Sequence, residues 1–197
     1  YDDDNLYLGV TAKDSDAENM VVNDLTEDFN FQQSDVVTFV LDTLNDDRSA
    51  FAFVTNPAGA RYDGQIAHEG QNFNVDWDGV WDVQTTRNDE GWVAEFAIPF
   101  KTLRFSSERV QQWGLNMTRT IRARNEESVW SPVPFRFRAT QVSLAGTLAG
   151  IENIEQGMNL SIKPYATGGF TQARAKDTPL GDLETNNNFN GGIDGKY

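Results

Sequence analysis

Two short runs set the first limit on what this chain can fold into. Residues 36–41 read V-V-T-F-V-L and residues 50–54 read A-F-A-F-V. Both consist largely of β-branched and aromatic side chains, and the acidic segment 42–48 (D-T-L-N-D-D-R) separates them. Such side chains suit a pleated, packed surface, and a polar break between them turns the chain back. The pattern predicts a β-hairpin at the centre of a sheet. The second run ends in N-P-A-G, residues 56–59. Pro57 fixes φ and Gly59 admits positive φ, so a turn is expected there. Shortly afterwards Asp76, Trp77, Asp78 and Trp81 bring aromatics and carboxylates together. A ligand is first expected at this loop.

The flanking chain supplies more strands. Residues 5–13 alternate, with Leu6, Leu8, Val10 and Ala12 on one face, as in a half-buried strand. Residues 14–33 are acidic and aperiodic, a long loop with one helical turn expected near 23–28. Residues 61–67 form a short strand candidate and 69–78 a loop. A second hairpin, 80–87 with 92–98, is joined by N-D-E-G, and Trp92, Ala94, Phe96 and Ile98 share a face. Residues 100–105 fit one short helical turn. Residues 113–122 alternate again, with Trp113, Leu115, Met117 and Arg119 on one side. Segment 122–138 mixes charge with aromatics, and Pro132 and Pro134 deny it regular structure. Residues 142–154 close the domain with a last strand. The whole predicts an all-β antiparallel sandwich over residues 1–154.

Beyond it, residues 155–197 change texture. Residues 159–170 alternate, 171–190 have the polar composition of a flexible loop, and 188–197 resume the alternation. Two readings stand here: an edge hairpin or tail, or the first strands of an outer-membrane β-barrel. The chain opens almost on a strand and stops as another begins, so a fragment of a longer protein with a truncated N-terminus is expected.

Composition removes several functions. A domain within 197 residues buries roughly 70% of its unfolded surface and needs no staple. The absence of cysteine excludes disulfides, thiolate metal sites and a cysteine nucleophile. A net charge of −14 argues against nucleic acid, which is bound by clustered Lys and Arg. It fits an envelope or secreted protein that meets neutral polar ligands or divalent cations, and it equally fits plain solubility. No apolar stretch approaches the ~20 residues of a membrane helix. His68 is the single histidine, so no Ser-His-Asp triad can be built around a second one and no paired-histidine metal site exists. As a lone histidine in a polar loop it reads as a surface residue. A glycosidase needs two carboxylates across a sugar; Glu95 and Glu126 are placed for it, but nothing among 30 acidic residues selects the pair.

Calcium is a closer test. N-V-D-W-D-G (74–79) matches the start of a helix-flanked calcium loop, but its twelfth position is Thr85 where a bidentate Glu is required. A non-helical site remains open, built from Asp42 and Asp46, or from Asp76 or Asp78, with backbone carbonyls. A solvated acidic turn explains the same residues.

Tryptophan gives the sharper signal. An indole face packs on the C–H face of a sugar ring while neighbouring polar groups bond its hydroxyls. Trp92 and Trp113 lie in strand alternation and belong to the core. Trp77, Trp81 and Trp130 lie in or beside loops, where stacking on a ligand and packing in the core are both open. Asp76, Asp78, Arg119, Arg124, Asn125 and Glu126 are the candidate hydroxyl partners.

Taken as a set, Y-D-D-D-N-L-Y-L-G-V (1–10), D-V-V-T-F-V-L-D-T (35–43), F-V-T-N-P-A-G (53–59), W-D-G-V-W (77–81), G-W-V-A-E-F-A-I-P-F-K-T-L-R-F (91–105), W-G-L-N (113–116) and R-N-E-E-S-V-W-S-P (124–132) resemble the carbohydrate-binding family 9-like domain. The resemblance is to the version that precedes a large β-barrel in bacterial envelope proteins, and residues 159–169 and 191–197 look like that barrel's first two strands. It implies a β-sandwich in the periplasm or outer membrane of a Gram-negative bacterium. It implies an oligosaccharide or polysaccharide partner, a structural calcium ion and a link to carbohydrate catabolism. The link to O-glycosyl hydrolases implied by the resemblance comes from enzymes to which such modules are attached. Three readings follow: a non-catalytic sugar-binding module, a module that docks on its own barrel through segment 122–138, and a glycoside hydrolase.

Overall fold

The structure, a computed structural model, describes residues 1–157, 161–174 and 183–196. The chain divides into two units, residues 1–157 and 158–197.

The first unit is an antiparallel β-sandwich. Its smaller sheet holds β1 (Asn5–Lys13), β6 (Asp82–Asn88) and β7 (Gly91–Pro99) in the order β1-β7-β6. Its larger sheet runs β10 (Gly146–Glu152), β8 (Val110–Ile121), β2 (Val36–Asp42), β3 (Ala50–Thr55), β4 (Arg61–Ala67) and β5 (Asn72–Asn74), with β9 (Glu126–Val129) also paired to β8. The alternation in β1 and β7 sets which residues enter the core. Leu6 and Ala12 from β1 and Trp92, Ala94, Phe96 and Ile98 from β7 face Val37, Phe39, Leu41, Phe51, Phe53 and Trp113 of the larger sheet.

The continuous apolar character of β2 and β3 has a direct cause. Their inward residues fill the core between the sheets. Their other face carries Val36, Val40, Ala50, Ala52 and Val54, and these are covered in turn by Phe29, Ala60 and Val142. A strand buried on both faces needs apolar residues at nearly every position. The β2–β3 connection closes on itself. Asp42 accepts hydrogen bonds from the Asp46 and Asp47 amides at 3.2 and 2.9 Å, and Asp46 accepts from the Arg48 and Ser49 amides at 2.8 and 2.7 Å. Asn45 and Asp47 take left-handed backbone angles, φ 52° and 59°, which these residue types tolerate. The N-P-A-G turn forms as expected, with the Gly59 amide on the Asn56 carbonyl at 3.0 Å and Gly59 at φ 80°.

Several expectations change. No helical turn forms at 23–28, because Asp24 takes the Thr26 amide and hydroxyl at 3.0 and 2.8 Å; a side chain that bonds the nearby backbone competes with the helix. Single 3₁₀ turns occur at Ala17–Asn19, Phe31–Gln33 and Phe100–Thr102. Segment 122–138 is not wholly irregular. It holds a 3₁₀ turn, Arg122–Arg124, and the edge strand β9, which ends before Pro132 and Pro134 can remove ladder donors. Within the expected loop 69–78, β5 pairs with β4 through Phe73 and Ile66. His68 is exposed at a left-handed turn position.

The second unit is a two-stranded ribbon of β11 (Ser161–Arg174) and β12 (Leu183–Lys196), fourteen residues each. Register puts Ile162, Pro164, Ala166, Phe170, Phe189 and Ile193 on one face, and Lys163, Tyr165, Thr167, Asn188, Asn190 and Asp194 on the other. The expected flexible loop 171–190 contracts accordingly: 171–174 and 183–190 are strand, and the rest of it lies outside the described residues.

Candidate functional site

One end of the larger sheet gathers the polar residues that the sequence singles out. Strand β8 pairs with β10 through residues 110–115 and with β9 through residues 118–121. Arg119 stands opposite Ser128, and the Trp130 amide donates to the Met117 carbonyl at 2.8 Å. Directly opposed residues of an antiparallel pair share a face, so Met117, Arg119, Ser128 and Trp130 lie together. Arg122–Arg124 makes the connecting turn, and Asn125 closes it at φ 49° with its amide on the Arg122 carbonyl. Asn125 therefore shapes the turn that carries Arg124 and Glu126.

The charged groups here are locked to one another. Asp14, at the end of β1, has a side chain only 2% exposed. Arg124 Nη1 donates to its Oδ1 at 3.0 Å, and Arg119 Nη2 faces its Oδ2 at 3.4 Å. Arg119 also donates to the Lys13 carbonyl, and Arg124 Nε reaches Glu126 Oε2 at 3.3 Å. Burial pushes the Asp14 carboxyl up, but the Asp16 amide and the two guanidiniums outweigh it and hold it below the usual carboxylate range. The same bond to Asp14 raises Arg124 above the ordinary arginine value. Beside them the buried Asp35 accepts the Arg122 amide at 2.6 Å; desolvation pushes its carboxyl up. Arg124 and Glu126 remain 38% and 52% exposed, so they keep hydrogen-bonding capacity toward solvent while their positions are fixed. A guanidinium held by a buried carboxylate is a pre-oriented donor.

Trp130 is 54% exposed. Its six-membered ring lies over Gly146 of β10, where an added Cβ would come within 2.6 Å of Cζ3. The missing side chain gives the indole a flat seat. The hairpin thus carries a stacking platform at one end and fixed donors and acceptors at the other. Gly146→Ala is expected to lift the indole from its seat, changing tryptophan fluorescence. Because a side-chain tip rather than backbone must give way, stability should change by less than ~1 kcal/mol in thermal melts.

The other predicted residues do not join this face. Trp81 is a core residue, which corrects its assignment as a stacking side chain. It is 3% exposed, parallel to Phe96 at 5.7 Å, edge-on to Phe53 at 5.3 Å, and its indole N–H donates to Asp63 at 2.6 Å. Arg61 lies over its ring at 5.9 Å. Burial pushes the Asp63 carboxyl up to about 6, against the Trp81 and Gly79 donors that favour its charge. Trp77 is half-buried, packed on Phe51 and Phe53 at 4.9 and 6.0 Å, and it rests over Gly79. Asp76 and Asp78 are exposed in its loop. Glu95 and Glu126 stand on different sheets. Asp42 and Asp46 are brought together, but by their own loop: Asp46 also accepts the Ser49 hydroxyl at 2.6 Å. With their oxygens turned to these donors, and no group of three metal-ligating side chains among the described residues, the pair does not fit a calcium cage.

Asp14, Ser128 and Gly146 escaped the sequence reading. Asp14 directly follows an alternating strand, but nothing in the sequence couples it to arginines so far along the chain. A shallow cleft of about 400 Å³ near the N-terminus, lined by Asp3, Asp4, Lys101 and Glu155, contains none of these residues.

No family model matches the chain, and no curated protein matches it. Among solved structures the fold is similar to that of a candidate carbohydrate-binding protein from Bacteroides uniformis. The TM-score is 0.56 at 16% identity, and the match covers 66% of this chain and 67% of the other. At this identity the likeness is one of fold, and the fold it supports is a carbohydrate-binding-like β-sandwich.

Proposed function

We propose that the first unit is a non-catalytic carbohydrate-binding module of the family 9-like type, and that its ligand is an oligosaccharide or polysaccharide. The observation that carries this is the half-exposed Trp130, seated on Gly146 and sharing its hairpin face with Arg119 and Ser128. Trp130 stacks on one sugar ring; Arg124 and Glu126, at the far end of the same hairpin, bond hydroxyls of another residue along an extended chain; Asp14 holds Arg124 in place. Similarity of fold to the Bacteroides uniformis protein supports the reading. The second unit supports an outer-membrane setting, in the periplasm or at the outer membrane of a Gram-negative bacterium. Its ribbon has one apolar and one polar face, the alternation of a barrel strand pair.

Calorimetric titration of the 197-residue chain with a panel of oligosaccharides tests this. A central stacking residue carries ~2 kcal/mol or more, so Trp130→Ala should weaken binding roughly thirtyfold while leaving the melting temperature nearly unchanged. Absence of binding to every oligosaccharide, with and without added calcium, would remove the proposal.

A further inference from the structure

We propose that loop 132–138 is a contact for an anionic lipid surface, with Phe135 entering the headgroup layer and Arg136 and Arg138 meeting lipid phosphates. This lies outside the sugar site.

Three observations point there. Phe135 is fully exposed and Phe137 is 38% exposed, in the run P-F-R-F-R. The loop is built rather than loose at its base. Ser131 is fixed by Asn116 and by the Leu144 carbonyl, the Phe137 amide donates to the Pro134 carbonyl at 2.8 Å, and the Gln141 amide to Arg138 at 2.9 Å. Phe135 is therefore held out at a tip whose ordering cost is already met.

The charge is the second observation. A chain of net charge −14 has no Asp or Glu anywhere in 128–151. Arg136 lies over the Phe137 ring at 4.8 Å, and neither it nor Arg138 has a carboxylate partner among the described residues. Glu69 stands at the base of the loop, bonded to the Gln141 side chain, while the tip itself presents Arg136 and Arg138; screening at physiological ionic strength confines charge effects to ~8 Å, so a surface touching the tip meets the arginines first.

Third, the combination of residues selects lipid over a protein groove. Aromatic rings settle at the headgroup level, and arginine stems lie along apolar surface while their heads reach phosphate.

The lack of cysteine makes the test direct. Single variants Phe135→Cys, Leu25→Cys and Phe189→Cys of the 197-residue chain are labelled with a polarity-sensitive fluorophore. They are then mixed with phosphatidylcholine vesicles containing or lacking phosphatidylglycerol. Leu25 is exposed in the acidic loop and Phe189 is exposed on the ribbon. The expected result is a blue shift at position 135 with anionic vesicles and none at position 25. Adding Arg136→Glu and Arg138→Glu should lower partitioning at least roughly thirtyfold without altering sugar titration. No shift at 135, an equal shift at 25, or a concentration-dependent shift at 135 without vesicles overturns the proposal. The last result would mean that a second copy covers the loop. A shift at 189 with none at 135 sinks the loop proposal and leaves the barrel reading standing; silence at both sinks both.

Discussion

Replacing Trp81 with alanine is expected to destabilise the first unit by about 3–5 kcal/mol, which for a chain of this size lowers the melting temperature by about 6–20 °C. The indole fills space between Phe53 and Phe96, and its N–H is the short donor to Asp63. Removing it opens a cavity and leaves a buried carboxylate short of a partner, and both effects act in the same direction. Trp81→Phe separates the two: it keeps most of the ring packing and loses only the donor, so it should fall between wild type and alanine. The contrast with Trp130→Ala is the sharpest check on how the tryptophans divide. One substitution should move the melting curve, and the other should move only ligand binding. If Trp81→Ala left stability within about 1 kcal/mol of wild type, the placement of this side chain in the core would be wrong.

Asp63→Asn should give the stability difference from wild type that depends most strongly on pH. The folded carboxyl titrates at about 6 and the unfolded one near the ordinary aspartate value of 3.8. The folded state therefore binds this proton more tightly than the unfolded state. Stability from this group is complete below the unfolded value, declines as pH rises from about 4 toward 6, and stays low above that. A gap of this size corresponds to about 3 kcal/mol at most. Asparagine still accepts from the Trp81 indole and carries no charge, so the variant lacks that decline. The difference in melting temperature, variant minus wild type, should rise by about 6–10 °C between pH 4 and pH 7. Asp14 and Asp46 titrate in the opposite sense, since their folded forms hold charge below the ordinary range. They shape the wild-type curve but cancel in the comparison. A constant difference across that range would show that Asp63 is not the group responsible.

Much of the architecture is legible in local pattern. β1 and β4 form over the residues whose alternation or composition marks them, and the N-P-A-G and N-D-E-G segments turn where their glycines permit it. Trp92 and Trp113, assigned to the core by alternation, are 2% and 0% exposed. The site was only partly legible, for a physical reason. Position next to carboxylates in sequence grouped Trp77, Trp81 and Trp130, but burial depends on what lies across the sandwich. Trp81, just before β6, stacks on Phe96 of the same sheet and stands edge-on to Phe53 of the opposite one, Trp77 meets Phe51 and Phe53, and Trp130 lies over Gly146 on an edge strand, half exposed. The sequence marks Arg119, Arg124 and Glu126 only singly; the buried Asp14 that ties the arginines together follows a strand of the other sheet and carries no local mark.

The pairing of the central strands carries a consequence for how the domain must be made. β1 lies beside β7, with Leu8 against Phe96, and β2 lies beside β8, with Phe39 against Met117. Each partner arrives long after the first strand has been synthesised. Neither half of the sandwich can complete a sheet alone, and closure of such long loops slows folding into the millisecond-to-second range. Until β8 arrives, the β2–β3 hairpin exposes apolar residues on both faces and an open edge, which is the pattern of an aggregation-prone intermediate. Fragments ending before residue 110 should therefore be insoluble rather than half-folded, and the smallest piece that behaves as a unit has to include β8.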